Sequence, residues 1–291
     1  MKKWGFLILL LFLGLIFVNI ESFFEPNIEV QKYDQYVNDL ADDKSVNENI
    51  QTIEILMKQI YQGNLLLVNN EYPVHQESIK SDIINLNSKT ELSNGYELPG
   101  NDIYLSEDVA REFSKMIAAA EKEGVHNFSI TSGFRDFDMQ SMLYKEMGSS
   151  YALPAGYSEH NLGIALDVGS TQMKMADAPE GKWIEDNAWK YGFILRYPKD
   201  KTNVTGIQYE PWHIRYVGLP HSAIMKGKNI VLEEYLDYLK EEKTISASIN
   251  GGKYMITYYP SFGSRMINIP DNSYFEISGN NIDGVIVTVY E

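Results

Sequence analysis

Cysteine is absent from the 291 residues. That excludes a disulfide framework and any thiolate metal site, so a bound metal would rest on nitrogen and oxygen ligands. Basic residues are scarce: 25 Lys and Arg stand against 40 Asp and Glu, a formal net charge of −15 at pH 7. The balance argues against nucleic acid as a partner, because phosphate contacts need clustered cations. It also gives no reason to expect docking on anionic lipid headgroups. No G-x-S-x-G elbow, internal repeat or low-complexity tract occurs. What remains is globular in character, with 44% hydrophobic and 12% aromatic residues. The length leaves room for one medium domain with appendages.

One long apolar run exists. Lys2 and Lys3 precede an uncharged apolar stretch over residues 4–18, between a signal-peptide core and a full span of about 20 residues. No small-x-small cleavage site follows it. The expectation is therefore an uncleaved signal anchor over residues 1–24, making a single-pass membrane protein, with secretion after cleavage as the alternative. In both cases the paired lysines stay inside and the acidic remainder is exported. Residues 25–64 read as an acidic stalk ending in a helix, since Ile50, Ile53, Ile55, Leu56 and Ile60 fall at roughly helical spacing.

Residues 65–243 have the composition of a packed domain, opening with Leu65-Leu66-Leu67-Val68-Asn69 as a buried strand. Ser106, followed by Glu107 and Asp108, starts a helix whose apolar face is Val109, Phe113, Met116, Ile117 and Ala120, with Gly124 as its stop. Phe128-Ser129-Ile130-Thr131 alternates as a strand, and Asp136 can cap the helix after it. A further helix carries Trp183, Ile184, Ala188 and Trp189 up to Gly192, and another surrounds Leu232, Tyr235, Leu236 and Leu239. Residues 244–291 hold β-patterned runs broken by turn signals. They predict a small β appendage of three or four short strands, which needs a neighbour to be stable.

Two stretches carry chemistry. The first, from Ser158 to Asp167, sets His160 and Asp167 seven residues apart with Gly163 between them. The glycine and the apolar alternation argue for a loop entering a strand, so that both side chains converge on one ion. The second, Glu210-Pro211-Trp212-His213, adds a second imidazole, His213, 46 residues after Asp167. His160, Asp167 and His213 make a three-ligand site that leaves zinc an open position for water. Imidazole is a poor ligand for calcium. Glu210, three residues before His213, is the candidate general base; a surface carboxylate or a fourth ligand is the alternative. His75, His126 and His221 have no partner at motif spacing and read as ordinary residues.

The combined pattern is S-x-H-x-x-G-x-A-x-D, then E-P-W-H, with Ser132-Gly133-Phe134-Arg135 upstream. It resembles the VanY-type D-alanyl-D-alanine carboxypeptidases, zinc peptidases that trim bacterial peptidoglycan stem peptides. The likeness spans residues 65–239 and includes Pro154-Ala155-Gly156-Tyr157 and Tyr191-Gly192-Phe193-Ile194-Leu195-Arg196-Tyr197-Pro198. It implies an α+β fold with an antiparallel central sheet flanked by helices, and one zinc per chain. Arg135 corresponds to the family's active-site arginine, able to stabilise an oxyanion or clamp a substrate carboxylate; an ion pair with Asp136 or Asp138 is the alternative. Gln140, Ser158 and Trp212 fall at the family's substrate-pocket positions. The implied reaction removes the C-terminal D-alanine from stem peptides ending in D-Ala-D-Ala, in glycopeptide resistance or in wall maturation. Two rivals stand beside it: an L,D-carboxypeptidase acting on tetrapeptides, and a non-catalytic wall-binding protein.

Overall fold

The computed structural model of the chain describes residues 28–32, 50–100, 102–148, 152–261 and 263–291. The first strands are β1 (Ile28–Lys32), β2 (Ile50–Ile55), β3 (Ile83–Asn85), β4 (Tyr96–Glu97) and β5 (Tyr104–Ser106). Next come helix α1 (Glu107–Lys122), β6 (Phe128–Ser132), α2 (Phe137–Met147), β7 (Ala165–Ser170), α3 (Pro179–Asn187) and β8 (Phe193–Leu195). A single turn of helix, α4 (Thr202–Thr205), precedes β9 (His213–Tyr216), α5 (His221–Lys228) and α6 (Leu232–Glu242). The chain ends in β10 (Thr244–Ile249), β11 (Gly252–Pro260), β12 (Arg265–Pro270), β13 (Tyr274–Gly279) and β14 (Gly284–Tyr290).

The architecture is α+β. One sheet has the order β4-β6-β7-β9-β8; its pairs are antiparallel except β4 with β6, which run parallel. Helix α1 packs against this sheet for the reason its sequence gives. Ser106 caps it by accepting from the Val109 N–H, Glu107 and Asp108 face the positive end of its dipole, and Val109, Phe113, Met116, Ile117 and Ala120 are buried. Asp136 caps α2 in the same way, accepting from Met139 N–H at 2.7 Å. Trp183, Ile184, Ala188 and Trp189 are buried on α3 and the 3-10 turn after it, which Gly192 ends in the left-handed region.

The far end of the molecule departs from expectation. Residues 244–291 are not a small appendage of three or four strands. Four of their strands join β1 in a second five-stranded sheet, β1-β10-β11-β14-β13, antiparallel throughout. One face packs on α5 and α6 through Ile245, Ile256, Tyr235 and Leu239. The other face buries Val285, Val287 and Val289 with Ile267 and Ile55. The helix expected near residue 50 is instead strand β2, paired with β12, followed by a 3-10 turn over Met57–Tyr61. The spacing of its isoleucines fits either structure locally, and the ladder with β12, more than two hundred residues away, decides for the strand. Residues 65–68 are buried but join no sheet; Leu65 N–H donates to the Ser278 hydroxyl and Leu67 N–H to the Asn280 carbonyl. Among the described residues no helix is long and apolar enough to cross a membrane. The expected anchor over residues 1–24, and part of the expected stalk, lie outside the described residues.

Candidate metal centre and active site

Strand register builds the site. Asp167 on β7 pairs directly with His213 on β9 and, on its other side, with Ser132 at the end of β6. Cross-strand partners hold their Cβ atoms within about 5.5 Å, so pairing alone sets a carboxylate against an imidazole. His160 arrives from a 3-10 turn over Glu159–Leu162 that ends at Gly163, in the left-handed region at φ 85°. A side chain at 163 would also strike Ile83. The ligand atoms of His160, Asp167 and His213 all lie within 4.8 Å of one another. His160 Nε2 is 3.4 Å from Asp167 Oδ2, and His213 Nδ1 is 3.1 Å from Asp167 Oδ1.

Each imidazole is held by its other nitrogen. His160 Nδ1 donates to the Gly133 carbonyl at 2.7 Å, which leaves Nε2 free to face the cluster. A Cβ at 133 would collide with the Tyr104 carbonyl oxygen, so only glycine lets this loop approach so closely. His213 Nε2 lies 3.2 Å from Oε2 of Glu159, and the Tyr197 ring covers the imidazole at 4.9 Å between centroids. Burial would raise the Asp167 carboxyl, but His160 and His213 hold it far below the usual carboxylate range. Burial depresses His160. For His213 burial is outweighed by hydrogen bonds to Asp167 and Glu159, which lift it to about 9.

Glu210 Oε2 lies 3.9 Å from His213 Nδ1, and its carboxyl is raised by burial against the lowering influence of His213. Arg135 is largely buried, with its Nε unpartnered among the described residues. Burial lowers its guanidinium while Asp167 and Glu210 raise it. The alternative pairing with Asp136 does not form; that carboxylate caps α2. Ser158 is buried and caps the His160 turn, its Oγ accepting from His160 N–H at 3.4 Å. Gln140 is buried, donates to the Leu153 carbonyl at 2.6 Å and keeps an unpartnered Oε1. Trp212 is 41% exposed beside the cluster-bearing strand, which suits a group that meets a ligand.

Two buried residues of this neighbourhood escape the motif reading. Asn161 donates to the Arg135 carbonyl at 2.6 Å and accepts from Gly156 N–H at 3.0 Å, so it fastens two motif loops together. Glu159 is fully buried behind His213. Its carboxyl would be raised by burial, but Arg215 and Arg196 hold it well below the ordinary range. Two arginines inside the apolar strings Ile194-Leu195-Arg196 and Ile214-Arg215-Tyr216 were a signal that a buried carboxylate must answer them.

Residues 102–219 match the VanY family, described as D-alanyl-D-alanine carboxypeptidase. Over 293 aligned residues the chain is 62% identical to a D-alanyl-D-alanine carboxypeptidase of Enterococcus faecium, covering 100% of this chain and 97% of that one. This chain belongs to the VanY family. Among solved structures the VanY-family chain resembles the vancomycin-resistance D,D-dipeptidase VanXYg in complex with a D-Ala-D-Ala phosphinate analogue. The TM-score is 0.73 at 31% identity, over 84% of this chain and 100% of that one. It also resembles the LdcB LD-carboxypeptidase, with a TM-score of 0.52 at 29% identity, over 65% and 94%.

Proposed function

We propose that this VanY-type carboxypeptidase holds one zinc ion on His160, Asp167 and His213, and that Glu210 is its general base. Its substrates are peptidoglycan stem peptides, from which it removes a C-terminal D-alanine. The observation that carries the reading is the convergence of three ligand atoms, two from neighbouring strands and one from the 3-10 turn before them, each imidazole held by its second nitrogen. The donor set fits the metal: two imidazoles and one carboxylate, all nitrogen and oxygen, with one coordination position to spare. When bound, zinc supplies Lewis-acid polarisation of the scissile carbonyl and makes water a stronger nucleophile at neutral pH.

The rest falls to the chain's own side chains. Glu210, beside His213 and half-buried, takes the proton of the attacking water and delivers it to the departing amine. Its raised affinity for a proton suits both halves of that task. Arg135 presents a guanidinium whose Nε has no partner among the described residues, ready for a substrate carboxylate or for charge on the scissile carbonyl oxygen. Gln140, Ser158 and Trp212 border the substrate. The reaction proceeds outside the membrane, a reading supported by the lysine pair ahead of the apolar run at residues 4–18.

The test measures bound zinc and kcat/KM on two synthetic stem peptides. The parent protein should hold about one zinc per chain, and His160→Ala and Asp167→Ala should lose it. The pentapeptide ending in D-Ala-D-Ala should be cleaved faster than the tetrapeptide. Full zinc occupancy in both variants refutes the ligand assignment, whereas a preference for the tetrapeptide refutes only the substrate.

A further inference from the structure

The side of His213 away from the cluster meets a group that no part of the proposed reaction uses. Glu159 Oε2 lies 3.2 Å from His213 Nε2. Its other oxygen, Oε1, accepts from Arg196 Nε and from Arg215 Nη1, both at 2.8 Å. Arg196 continues outward as a two-pronged pair with Glu233 on α6, at 2.9 and 2.7 Å. Arg215 Nη2 donates to the carbonyls of Asn64 and Leu66, both at 3.0 Å. Glu159, Arg196 and Arg215 are fully buried. A buried ionic cluster is weak evidence for stability in itself, because desolvating its members offsets most of their attraction. This cluster has a direction, however: every fixed donor claims Oε1, and Oε2 is left for the imidazole.

An ionised carboxylate can only accept. Facing it, His213 must carry a proton on Nε2, so that in the zinc-loaded protein the proton given up is the one on Nδ1, shared with Asp167 in the metal-free site, and the Nδ1 lone pair is the one offered to the metal. We infer that Glu159 is a positioning residue, fixing His213 in the tautomer and ring orientation that offer Nδ1 as a ligand. The inference rests on the zinc reading above. It differs from the arrangement at His160, where a neutral backbone carbonyl performs the same orientation through the opposite nitrogen.

Glu159→Gln gives a sharp test because the arginines cannot turn round. Arg196 and Arg215 only donate, so they must draw the amide oxygen to the place of Oε1. The amide NH2 then faces Nε2, which has to accept, and the ring proton moves to Nδ1 where the metal should bind. Zinc affinity, measured by competition with a chelator, should fall by at least the ~10–100-fold typical of lost outer-shell partners. Glu233→Gln disturbs the same cluster one residue further from the imidazole. It should lower the melting temperature of the metal-free protein while leaving zinc affinity at the parent value. Equal zinc affinity in Glu159→Gln and parent overturns the inference, and so does an equal loss in both variants, which would mark the cluster as structural only.

A second measurement does not depend on the variant folding. In zinc-loaded parent protein, 15N NMR of the imidazole absent from His213→Gln should show the proton on Nε2. A proton on Nδ1 overturns the inference. A parent that binds no zinc overturns the metal assignment, and this inference falls with it. A parent that binds zinc, beside a Glu159→Gln variant that binds it equally well, overturns this inference alone.

Discussion

The two five-stranded sheets each bury one apolar face and differ in what the other face carries. In β4-β6-β7-β9-β8, the adjoining strands β7 and β9 carry Asp167, His213 and Arg215, each tied to named polar partners. In β1-β10-β11-β14-β13, the inner positions are Ile245, Ala247, Ile256 and Ile286 on one face and Val285, Val287 and Val289 on the other. Strand β14 is buried on both faces because it separates two cores, with Thr288 as its one buried polar side chain. The first sheet keeps an apolar core on one face, through Ile130, Leu166, Val168 and Ile214, and holds charge on the other. The second gives up chemistry and serves as a wall against which α5 and α6 are held. Substitutions should therefore register in turnover on one sheet and in stability on the other.

The largest expected effect lies beside the first sheet. Glu210→Gln should lower kcat by ~10²–10⁴-fold with bound zinc and melting temperature unchanged, and near-normal turnover would remove Glu210 as the base. In the second sheet, Ile256→Ala empties a fully buried site. It should cost ~2–5 kcal/mol in urea unfolding and leave kcat per folded molecule as it was; a matching fall in kcat would show that the sheets are not separable. Returning to the active site, Arg135→Lys keeps the charge but loses the planar fork. A reduction of kcat/KM by roughly 10–100-fold, worth about 1.5–3 kcal/mol for a charged hydrogen bond, is expected at full zinc occupancy.

The smallest effect concerns the junction of the two halves. His221 is buried between Tyr235 on α6 and Thr288 on β14, bonded to their hydroxyls at 2.7 and 3.0 Å. Burial depresses it from 6.5 to about 3, so between those values the unfolded chain binds a proton that the folded chain refuses. Stability should then rise with pH across that window and be complete above about 6.5. Comparing urea midpoints at pH 4.5 and 7, His221→Gln should show a shallower rise than the parent. An identical slope would mean that this histidine is not held neutral.

The half that carries the His160, Asp167 and His213 cluster was legible because its signals are local. A glycine between His160 and Asp167, a proline beside Glu210, and the cap at Ser106 act within a few residues, and the structure repeats those elements. The second sheet was legible only as strands. Its partners are set by register between residues as distant as Ile28 and Ile249, or Ile50 and Pro270, and no short-range pattern records such a pairing. The isoleucines of β2 satisfied a helical spacing by coincidence. Glu159 was hidden for a related reason: beside His160 in sequence it resembles filler, and its meaning comes from Arg196, just past the end of β8, and Arg215 on β9.

The line Glu233–Arg196–Glu159–Arg215, buried except at its Glu233 end, also bears on descent. Two cations and two anions balance there, and the loss of any one strands its neighbour's charge away from water at a cost of about 3–5 kcal/mol. Single-step drift at these positions is therefore closed. A lineage can leave the arrangement only by exchanging partners together, so across relatives these four sites should be inherited as a set, with replacements at one accompanied by replacements at another.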